Sequence, residues 1–357
     1  MNFNRFTQVL LGWYPNHKRE LPWRDIKDPY KIWLAEIILQ QTRVAQGLPY
    51  FERFIHKYPT VQDLACAPEE EIMRLWQGLG YYSRARNLHA CAKEVVSRHN
   101  GNFPDSFEKL LQLKGIGRYT AAAIASFAFL EPMGVVDGNV FRVISRYFGI
   151  SEDIGSASGR KVFEDLVNQA ISKERPDEFN QAIMEFGALQ CVPKNPDCPS
   201  CPLAPGCFAF QKNMVSQFPV KEKRIKISHR HFMYFYITCA DFTIVRHREA
   251  GDIWQGLHDF PLEEMSNNLS VDFESSQIFH SLLNLDPNVY FNPESSYRHL
   301  LTHQRIQANF VHIKVNQSRL KSLKKWSESA GLLLVNNEKL ESLGKPKLIV
   351  NFLNDQK

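Results

Sequence analysis

Four cysteines fall within seventeen residues, spaced Cys191-x6-Cys198-x2-Cys201-x5-Cys207, and Pro193, Pro196, Pro199, Pro202 and Pro205 recur between them at every third position. Proline fixes φ and lacks an amide hydrogen, so this stretch can be neither helix interior nor central strand. What is left is a stiff loop that wraps four thiols around one compact centre. Irregular short spacings suit an iron–sulfur cluster. Structural zinc usually takes two knuckle-like cysteine pairs, and only one Cys-x2-Cys is present. Free thiols packed in a core have no reason to cluster in this way. Cys66, Cys91 and Cys239 bring the total to seven, and an odd, clustered set argues against a secreted disulfide framework. Such a centre need not do redox chemistry. It can staple a loop in which Lys194 is placed to meet a phosphate.

A chain of 357 residues exceeds one ordinary core and suits two or three domains. With 44% hydrophobic and 12% aromatic residues, global disorder is excluded. The longest near-apolar stretch, Ala121 to Leu130, is about half of what a membrane span requires. The N-terminus MNFNRFTQVL lacks the basic-then-apolar pattern of a signal peptide. A soluble, unexported protein is expected. Residues 1–229 carry 29 Lys and Arg against 24 Asp and Glu, whereas residues 230–357 carry 14 of each. The whole net charge of +5 therefore sits in the first two-thirds. An excess this small permits a nucleic-acid partner without demanding one.

From Phe6 to about Phe210 the chain reads as helices with short breaks. Asp28-Pro29 precedes a helix from Tyr30 to about Gln41, and Pro59 and Pro68 punctuate the next segments. Asp105 with Glu108 predicts a capping box for a helix through Leu111. Further helices are predicted over Arg118–Phe129, ended by Pro132, and over Gly138–Tyr147, Ser158–Ile171 and Pro176–Leu189. Residues 212–229 are polar, basic and aperiodic, as in a linker. His231–Thr238 and Phe242–His247 are aromatic and β-branched around Ala240-Asp241, which predicts a hairpin. A strand is expected at Ile306–Val315, with helices near Ser275–Leu285 and Asn337–Leu343. The C-terminal third is thus α+β, joined to a mainly α body, and no internal repeat is evident.

Leu113-Lys114-Gly115-Ile116-Gly117-Arg118-Tyr119-Thr120 lies between two predicted helices. Two glycines around one apolar residue let the backbone turn tightly and present amides at a helix start, where the dipole favours an anion. Ile116 would plug the space between the helices. This is the pattern of a helix-hairpin-helix, which grips a DNA phosphate without reading sequence. Glu36 shares a helical stripe with Ile32, Ala35 and Leu39, so it faces an apolar interior or a cleft. Desolvation there raises a carboxyl pKa, as a general acid working near neutrality needs. Asp137, in Val135-Val136-Asp137-Gly138-Asn139-Val140, reads as an N-cap. The amides it accepts would hold its pKa down and keep it ionised beside a positive charge. One protonated and one ionised carboxylate is the pairing that glycosidic cleavage through an oxocarbenium-like state requires.

The helical body, Gly115-Ile116-Gly117, Asp137 and the cysteine spacing together resemble the helix-hairpin-helix base-excision DNA glycosylases, over about residues 1–212. Within that superfamily position 119 separates two groups. The endonuclease III pattern has a lysine there, whose amine attacks the sugar and drives β-elimination. Tyr119 cannot form a Schiff base and resembles the adenine glycosylases of the MutY type. Trp33-Leu34-Ala35-Glu36-Ile37-Ile38-Leu39-Gln40-Gln41-Thr42 and Leu21-Pro22-Trp23-Arg24 are similar to segments of that type. The resemblance implies that Glu36 is the acid and Asp137 the cation stabiliser, with Tyr119 and Asn139 holding the geometry. It implies that Arg19, Leu21, Trp23, Arg24 and Gln181 line a pocket for a flipped adenine. Gln41, Thr42, Leu79 and Tyr81 would fill the duplex and probe the opposite base, and Lys114, Gly115, Gly117 and Lys194 would hold backbone. Cys191, Cys198, Cys201 and Cys207 would bind a 4Fe-4S cluster.

Trp254-Gln255-Gly256-Leu257-His258-Asp259-Phe260-Pro261 resembles a stretch of the family's Nudix-like C-terminal domain. The acidic box that binds catalytic magnesium is absent, so recognition rather than hydrolysis is expected. A Phe-Ser-His loop of the family contacts 8-oxoguanine; here the corresponding residues are Leu301, Thr302 and His303, which keep a hydroxyl and lose the aromatic ring. Phe141 stands where some members carry a lysine able to trap the abasic product. The implied domains are a six-helix barrel with the hairpin at 21–130, an iron–sulfur domain from 1–20 and 131–212, a linker at 213–229 and the Nudix-like lesion reader at 230–357. The implied activity is monofunctional removal of adenine mispaired with 8-oxoguanine or guanine in double-stranded DNA. A cytoplasmic monomer is expected, nucleoid-associated if bacterial, with downstream repair enzymes as partners and no membrane association. Two other readings remain: an endonuclease III-like glycosylase and lyase acting on oxidised pyrimidines, and a non-catalytic iron–sulfur DNA-binding or redox protein. Four thiolates around a dicationic cluster would bring the balance down to about +3.

Overall fold

A computed structural model describes residues 2–222, 227–265 and 273–356. The chain divides into two compact units, Met1–Cys66 with Asn87–Lys223, and Ala67–Arg86 with Arg224–Lys357. This differs from the four-part division expected from the sequence. The helical body is one unit, and residues 67–86, expected in the barrel, count with the C-terminal third. The reason is a set of bonds inside the second unit. Lys345 N donates to Gln77 Oε1 at 3.1 Å, Tyr82 Oη to the Lys345 carbonyl at 3.3 Å, and Lys339 pairs with Glu70 at 3.1 Å.

Along the chain the helices are α1 (Phe3–Trp13), α2 (Pro29–Leu39), α3 (Val44–Lys57), α4 (Val61–Cys66), α5 (Glu69–Leu75) and α6 (Ser83–His99). They continue as α7 (Phe107–Leu110), α8 (Arg118–Phe129), α9 (Gly138–Phe148), α10 (Ala157–Ala170), α11 (Pro176–Leu189) and α12 (Phe208–Gln211). No helix among the described residues is long and apolar enough to cross a membrane. Several boundaries follow directly from caps. Asp28 accepts from the Tyr30 and Lys31 amides with Pro29 at the first helical position, so α2 starts where Asp-Pro predicts. Asp137 caps α9, and Gly149 closes it in the left-handed conformation at φ 74°. The capping box expected at Asp105 does not form. Ser106 occupies the cap of a one-turn α7 without a side-chain bond, while Asp105 pairs with Lys109 instead.

Helices α1, α9, α10 and α11 share a core that includes Phe6, Leu10, Val140, Phe163, Phe179 and Phe186, against which three of the clustered cysteines pack. Gly187 allows α11 to lie directly on the start of α9, since a Cβ there would sit 2.6 Å from Asn139 Cβ. The segment 133–136 that delivers Asp137 is held by buried Asn180, which accepts from Val135 N at 2.9 Å and donates to Ser126 Oγ and Met133 O at 2.8 Å each.

The second unit is built on a sheet of β1 (Ser228–Cys239), β2 (Phe242–His247), β3 (His258–Asp259), β4 (Leu262–Met265), β5 (Tyr290–Leu300), β6 (Gln304–Lys314) and β7 (Leu333–Asn336). The order is β3-β2-β1-β6-β5, with β4 on β1 and β7 on β2. Strands β1 and β6 pair in parallel along eleven residues, and β1 turns into β2 through Ala240-Asp241 as the sequence predicts. Strand β1 begins at Ser228, inside the stretch expected to be linker, because residues 228 and 229 already pair with Gln304 and Arg305. Helices α13 (Gln277–Leu285), α14 (Leu320–Ser329), α15 (Asn337–Ser342) and α16 (Lys347–Asp355) complete the unit. Asp259 on β3 is fully buried and is bonded by Arg248 at 2.7 Å, by Arg246 at 3.0 Å and by Tyr234 at 3.2 Å. Truncating Asn180 to alanine removes three hydrogen bonds at once, two of them to buried partners, and a loss of about 3 kcal/mol of stability is expected in urea unfolding.

Candidate active site

One cavity of the first unit, about 190 Å³ in volume, gathers most of the residues singled out in the sequence. That volume suits a single heterocyclic base rather than a larger ligand. Glu36, Tyr119, Asp137 and Asn139 line it, as do Arg19, Leu21, Trp23, Arg24 and Gln181. Thr42 joins them; Gln41 does not, and is exposed with a left-handed backbone at φ 54°.

Glu36 comes from α2, a helix buried almost all round, and is 7% exposed. The Tyr119 hydroxyl donates to its Oε2 at 2.6 Å. Burial pushes the Glu36 carboxyl from an ordinary 4.5 up to about 7; the charge of Asp137 adds to this, and the Tyr119 bond and Arg24 oppose it. Tyr119 opens α8, which packs against α2, and Gln40 Nε2 ties the end of α2 to Thr120 Oγ1 at 3.2 Å.

Asp137 Oδ1 accepts from the Asn139 and Val140 amides, and Oδ2 accepts from Asn139 Nδ2, all at 2.8 Å. Arg142 in turn donates to Asn139 Oδ1 at 2.8 Å, to the Gly187 carbonyl at 2.6 Å and to the Cys191 carbonyl at 2.7 Å. The expectation that amides would hold Asp137 below its ordinary range is not met. Burial outweighs the three bonds and the Arg142 charge, and the net direction is upward. Asp137 nevertheless has three donors where Glu36 has one. A single proton entering this pair therefore resides on Glu36.

The residue that sequence reasoning missed is Glu185. It sits on α11 one turn beyond Gln181, lines the same cavity and is 1% exposed. Arg19 bonds it through N at 2.9 Å and through Nε and Nη2 at 2.7 Å; Arg24 adds Nη2 at 2.6 Å and Nη1 at 3.2 Å. Burial alone would raise this carboxyl, but the guanidinium bonds hold it at about 2. The signal was present as a lone acid four residues from Gln181 among Phe179, Ala182, Ile183 and Phe186. The Tyr14 hydroxyl donates to Gln181 Oε1 at 2.7 Å, which leaves the Gln181 amide NH2 for a ligand.

In the hairpin, Ile116 is buried and Gly115 and Gly117 are exposed, as expected. Gly115 sits at φ 77°, and a Cβ there would meet Asn87 Cβ at 2.7 Å, so this position takes glycine on two counts. Lys114 is exposed, with its amide bonded to Glu94 at 3.0 Å. Lys194 is exposed beside Asn195, which is left-handed at φ 48°.

Cys191, Cys198, Cys201 and Cys207 are unpaired and line one small cavity of about 30 Å³. Among the described residues no group of three or more His, Cys, Asp or Glu is arranged to hold a single metal ion. Arg146 donates to Cys191 Sγ at 3.4 Å and to the carbonyls of Val192 and Pro193. Burial pushes the Cys201 thiol up to about 11 and raises Cys198 and Cys207. Four soft thiol donors around one space are a donor set that suits a thiolate-bound metal centre.

In the second unit Leu79 is 7% exposed and packed in, so it does not project as a wedge in this state, whereas Tyr81 is 45% exposed at φ 48°. The Tyr81 hydroxyl is hydrogen-bonded to Thr302 Oγ1. Leu301, Thr302 and His303 form the tip between β5 and β6, fixed by Leu301 N to Gln304 O at 2.9 Å, Arg305 Nη1 to Leu301 O at 2.7 Å and Ser228 N to His303 O at 2.9 Å.

Because the Glu36 pKa is higher in the folded chain than in the unfolded one, its contribution is intact below about pH 4.5 and lost as pH rises through about 7. The Glu36→Gln variant is therefore expected to be more stable than the parent by about 3 kcal/mol at pH 8, and no more stable near pH 4. Denaturation at both pH values checks this; a pH-independent difference would contradict it.

Residues 34–169 match the HhH-GPD superfamily of base excision DNA repair proteins, and residues 233–355 match the NUDIX domain. Among solved structures, a thermostable thymine-DNA glycosylase aligns with TM-score 0.54 and 29% identity, covering 59% of this chain and 97% of that one. Endonuclease III in a non-covalent complex with DNA aligns with TM-score 0.52 and 26% identity over 60% of this chain and 99% of that one. The rat adenine DNA glycosylase is 46% identical over 216 residues, covering 58% of this chain and 42% of its own. An adenine DNA glycosylase of Buchnera aphidicola (subsp. Baizongia pistaciae) is 33% identical over 318 residues, 87% of each chain. On that near-complete match the chain belongs to the adenine DNA glycosylases, hydrolases of the N-glycosidic bond in base-excision repair.

Proposed function

We propose that the chain removes adenine mispaired with 8-oxoguanine, or with guanine, from duplex DNA and leaves strand scission to another enzyme. The observation that carries this reading is the cavity in which Glu36, ready to hold a proton near neutrality, meets Tyr119 and a thrice-bonded Asp137. Adenine must leave the helix to reach that cavity, at an unstacking cost a mispair reduces. Gln181 and the arginine pair orient the base, Trp23 and Leu21 cover its faces, and Glu36 donates to N7. The bond to the sugar then breaks with its electron pair going to the base. Asp137 stabilises the cationic sugar, and Asn139 and Tyr119 hold the two carboxylates in place. Deprotonated Glu36 finally accepts a proton from the attacking water.

Among the described residues no lysine lines the cavity, which supports a monofunctional reaction. The free amides of Gly115 and Gly117, Lys114 and Lys194 are assigned to phosphates, Gln41, Thr42, Leu79 and Tyr81 to the duplex interior, and Leu301, Thr302 and His303 to the opposite base. Leu79 reaches the duplex in this reading by leaving the packed position it holds in the free chain. Cys191, Cys198, Cys201 and Cys207 hold a 4Fe-4S cluster, which when bound supplies a rigid staple for the loop carrying Lys194. The enzyme acts as a cytoplasmic monomer.

Glu36→Gln is expected to abolish adenine release from an A:8-oxoG duplex while leaving duplex binding within about threefold, a difference that gel-shift and base-release assays resolve. In the parent, release should fall as pH rises through about 7, and breaks should appear only after hot alkali. Breaks without alkali, or release by the Gln variant, would overturn the mechanism. Cys198→Ser is expected to bleach the visible absorbance of the purified protein and lower its Tm.

A further inference from the structure

The adenine cavity holds three ionisable groups that the mechanism above leaves without a chemical step: Arg19, Arg24 and Glu185. Two guanidiniums beside a carboxyl that must stay protonated are a liability, because each unneutralised positive charge within a few ångströms favours the ionised form. Glu185 answers that liability by geometry. It is 1% exposed and receives five hydrogen bonds, three from Arg19 and two from Arg24, and both of its oxygens are taken by guanidinium nitrogens. Arg24 is held a second time, by Nη1 to the Arg19 carbonyl at 2.7 Å, so the pair cannot reorient without breaking the cluster.

We propose that Glu185 is a positioning residue that sets the charge of the base pocket, cancelling one of its two guanidinium charges so that Glu36 keeps its proton at neutral pH.

The groups that face Glu36 are few. Tyr119 comes from α8, Asp137 from the start of α9 and Glu185 from α11, while Arg19 and Arg24 come from the segment between α1 and α2; α3 adds Val44 and no titratable side chain to the lining. Asp137 and Arg24 act on Glu36 in opposite directions. After the Tyr119 bond, Arg24 is therefore the opposing charge that limits how much of the upward push survives, and Glu185, bonded to its guanidinium, decides how much of that charge is felt. A neutral Gln at position 185 keeps the shape and part of the bonding but leaves two cations facing the acid. Loss of the acid's proton then begins at lower pH.

This inference rests on Glu36 being the acid, and the experiment separates the two. Single-turnover adenine release from an A:8-oxoG duplex is measured with the full chain from about pH 5 to about pH 9. For Glu185→Gln the midpoint of the alkaline fall is expected to move down by about one unit, so that release near pH 8 drops about tenfold while most of the acid-side rate remains. Glu185→Asp, which restores an ionised carboxylate, should return the midpoint to the parent's position. Arg24→Gln, which removes a cation while Glu185 remains, should move it up. A Glu185→Gln variant slowed by the same factor at every pH would reduce Glu185 to a structural support and overturn the proposal. Should that variant fail to fold, an Arg24→Gln profile without an upward shift overturns it equally. Turnover by Glu36→Gln would remove the acid assignment itself, and this inference with it.

Discussion

The site depends on one helix cap. Asp137 satisfies the first amides of α9 and in the same act aims a carboxylate into the cavity, so the interaction that starts the helix also fixes one of the two acids on which the proposed reaction depends. A cap is a strict positioning device, because two backbone amides and one side-chain amide leave the carboxylate almost no freedom. Its supports radiate outward. Asn180 holds the segment that delivers it, Gly187 lets α11 lie against the helix start, and Arg142 links Asn139 to the backbone of Cys191. The cysteine loop and the reacting centre therefore share a chain of two side chains, with no metal chemistry needed to connect them.

Placing two carboxylates in one small cavity is costly unless their protonation is divided. The division follows from bonding. Asp137 has three donors, Glu36 has one, and the charge of the first raises the second. Burial opposes ionisation at both, which a reading based on the cap alone missed. The second unit solves a similar problem differently. Asp259 on β3 is surrounded by two arginines and a tyrosine, which makes a tight structural ion pair.

Local chemistry was legible where one residue dictates one backbone state. Asp28-Pro29, Gly117 and Pro176 mark helix starts, and the ranges 118–129 and 176–189 agree at both ends with the helices observed. The pocket residues were legible because Glu36, Tyr119 and Asp137 sit in distinctive contexts. Glu185 was not, since its meaning lies in Arg19 and Arg24, more than 160 residues away. Asp105 misled for the opposite reason: a local motif predicted a cap, and a lysine one turn on won its carboxylate. The assignment of residues 67–86 to the second unit rests on Gln77, Tyr82 and Glu70 meeting residues beyond 338, and no periodicity within 67–86 encodes that.

Some of the left-handed non-glycine residues lie in segments the sequence had already set apart: Gln41 after α2, Tyr81, Asn195 beside Lys194 and Trp254. At Tyr81 the backbone places the ring so that its hydroxyl meets that of Thr302 at the tip between β5 and β6. Each hydroxyl thus has a partner before anything binds. On the proposed reading, a nucleobase edge arriving at Thr302 would exchange one hydrogen bond for another, which is nearly neutral in free energy, whereas an edge that displaced the tyrosine without replacing its bond would leave an orphan. If the tip reads the opposite base as proposed, this pair makes it better suited to rejecting the wrong base than to gripping the right one, with selectivity expressed in how quickly mismatched partners leave.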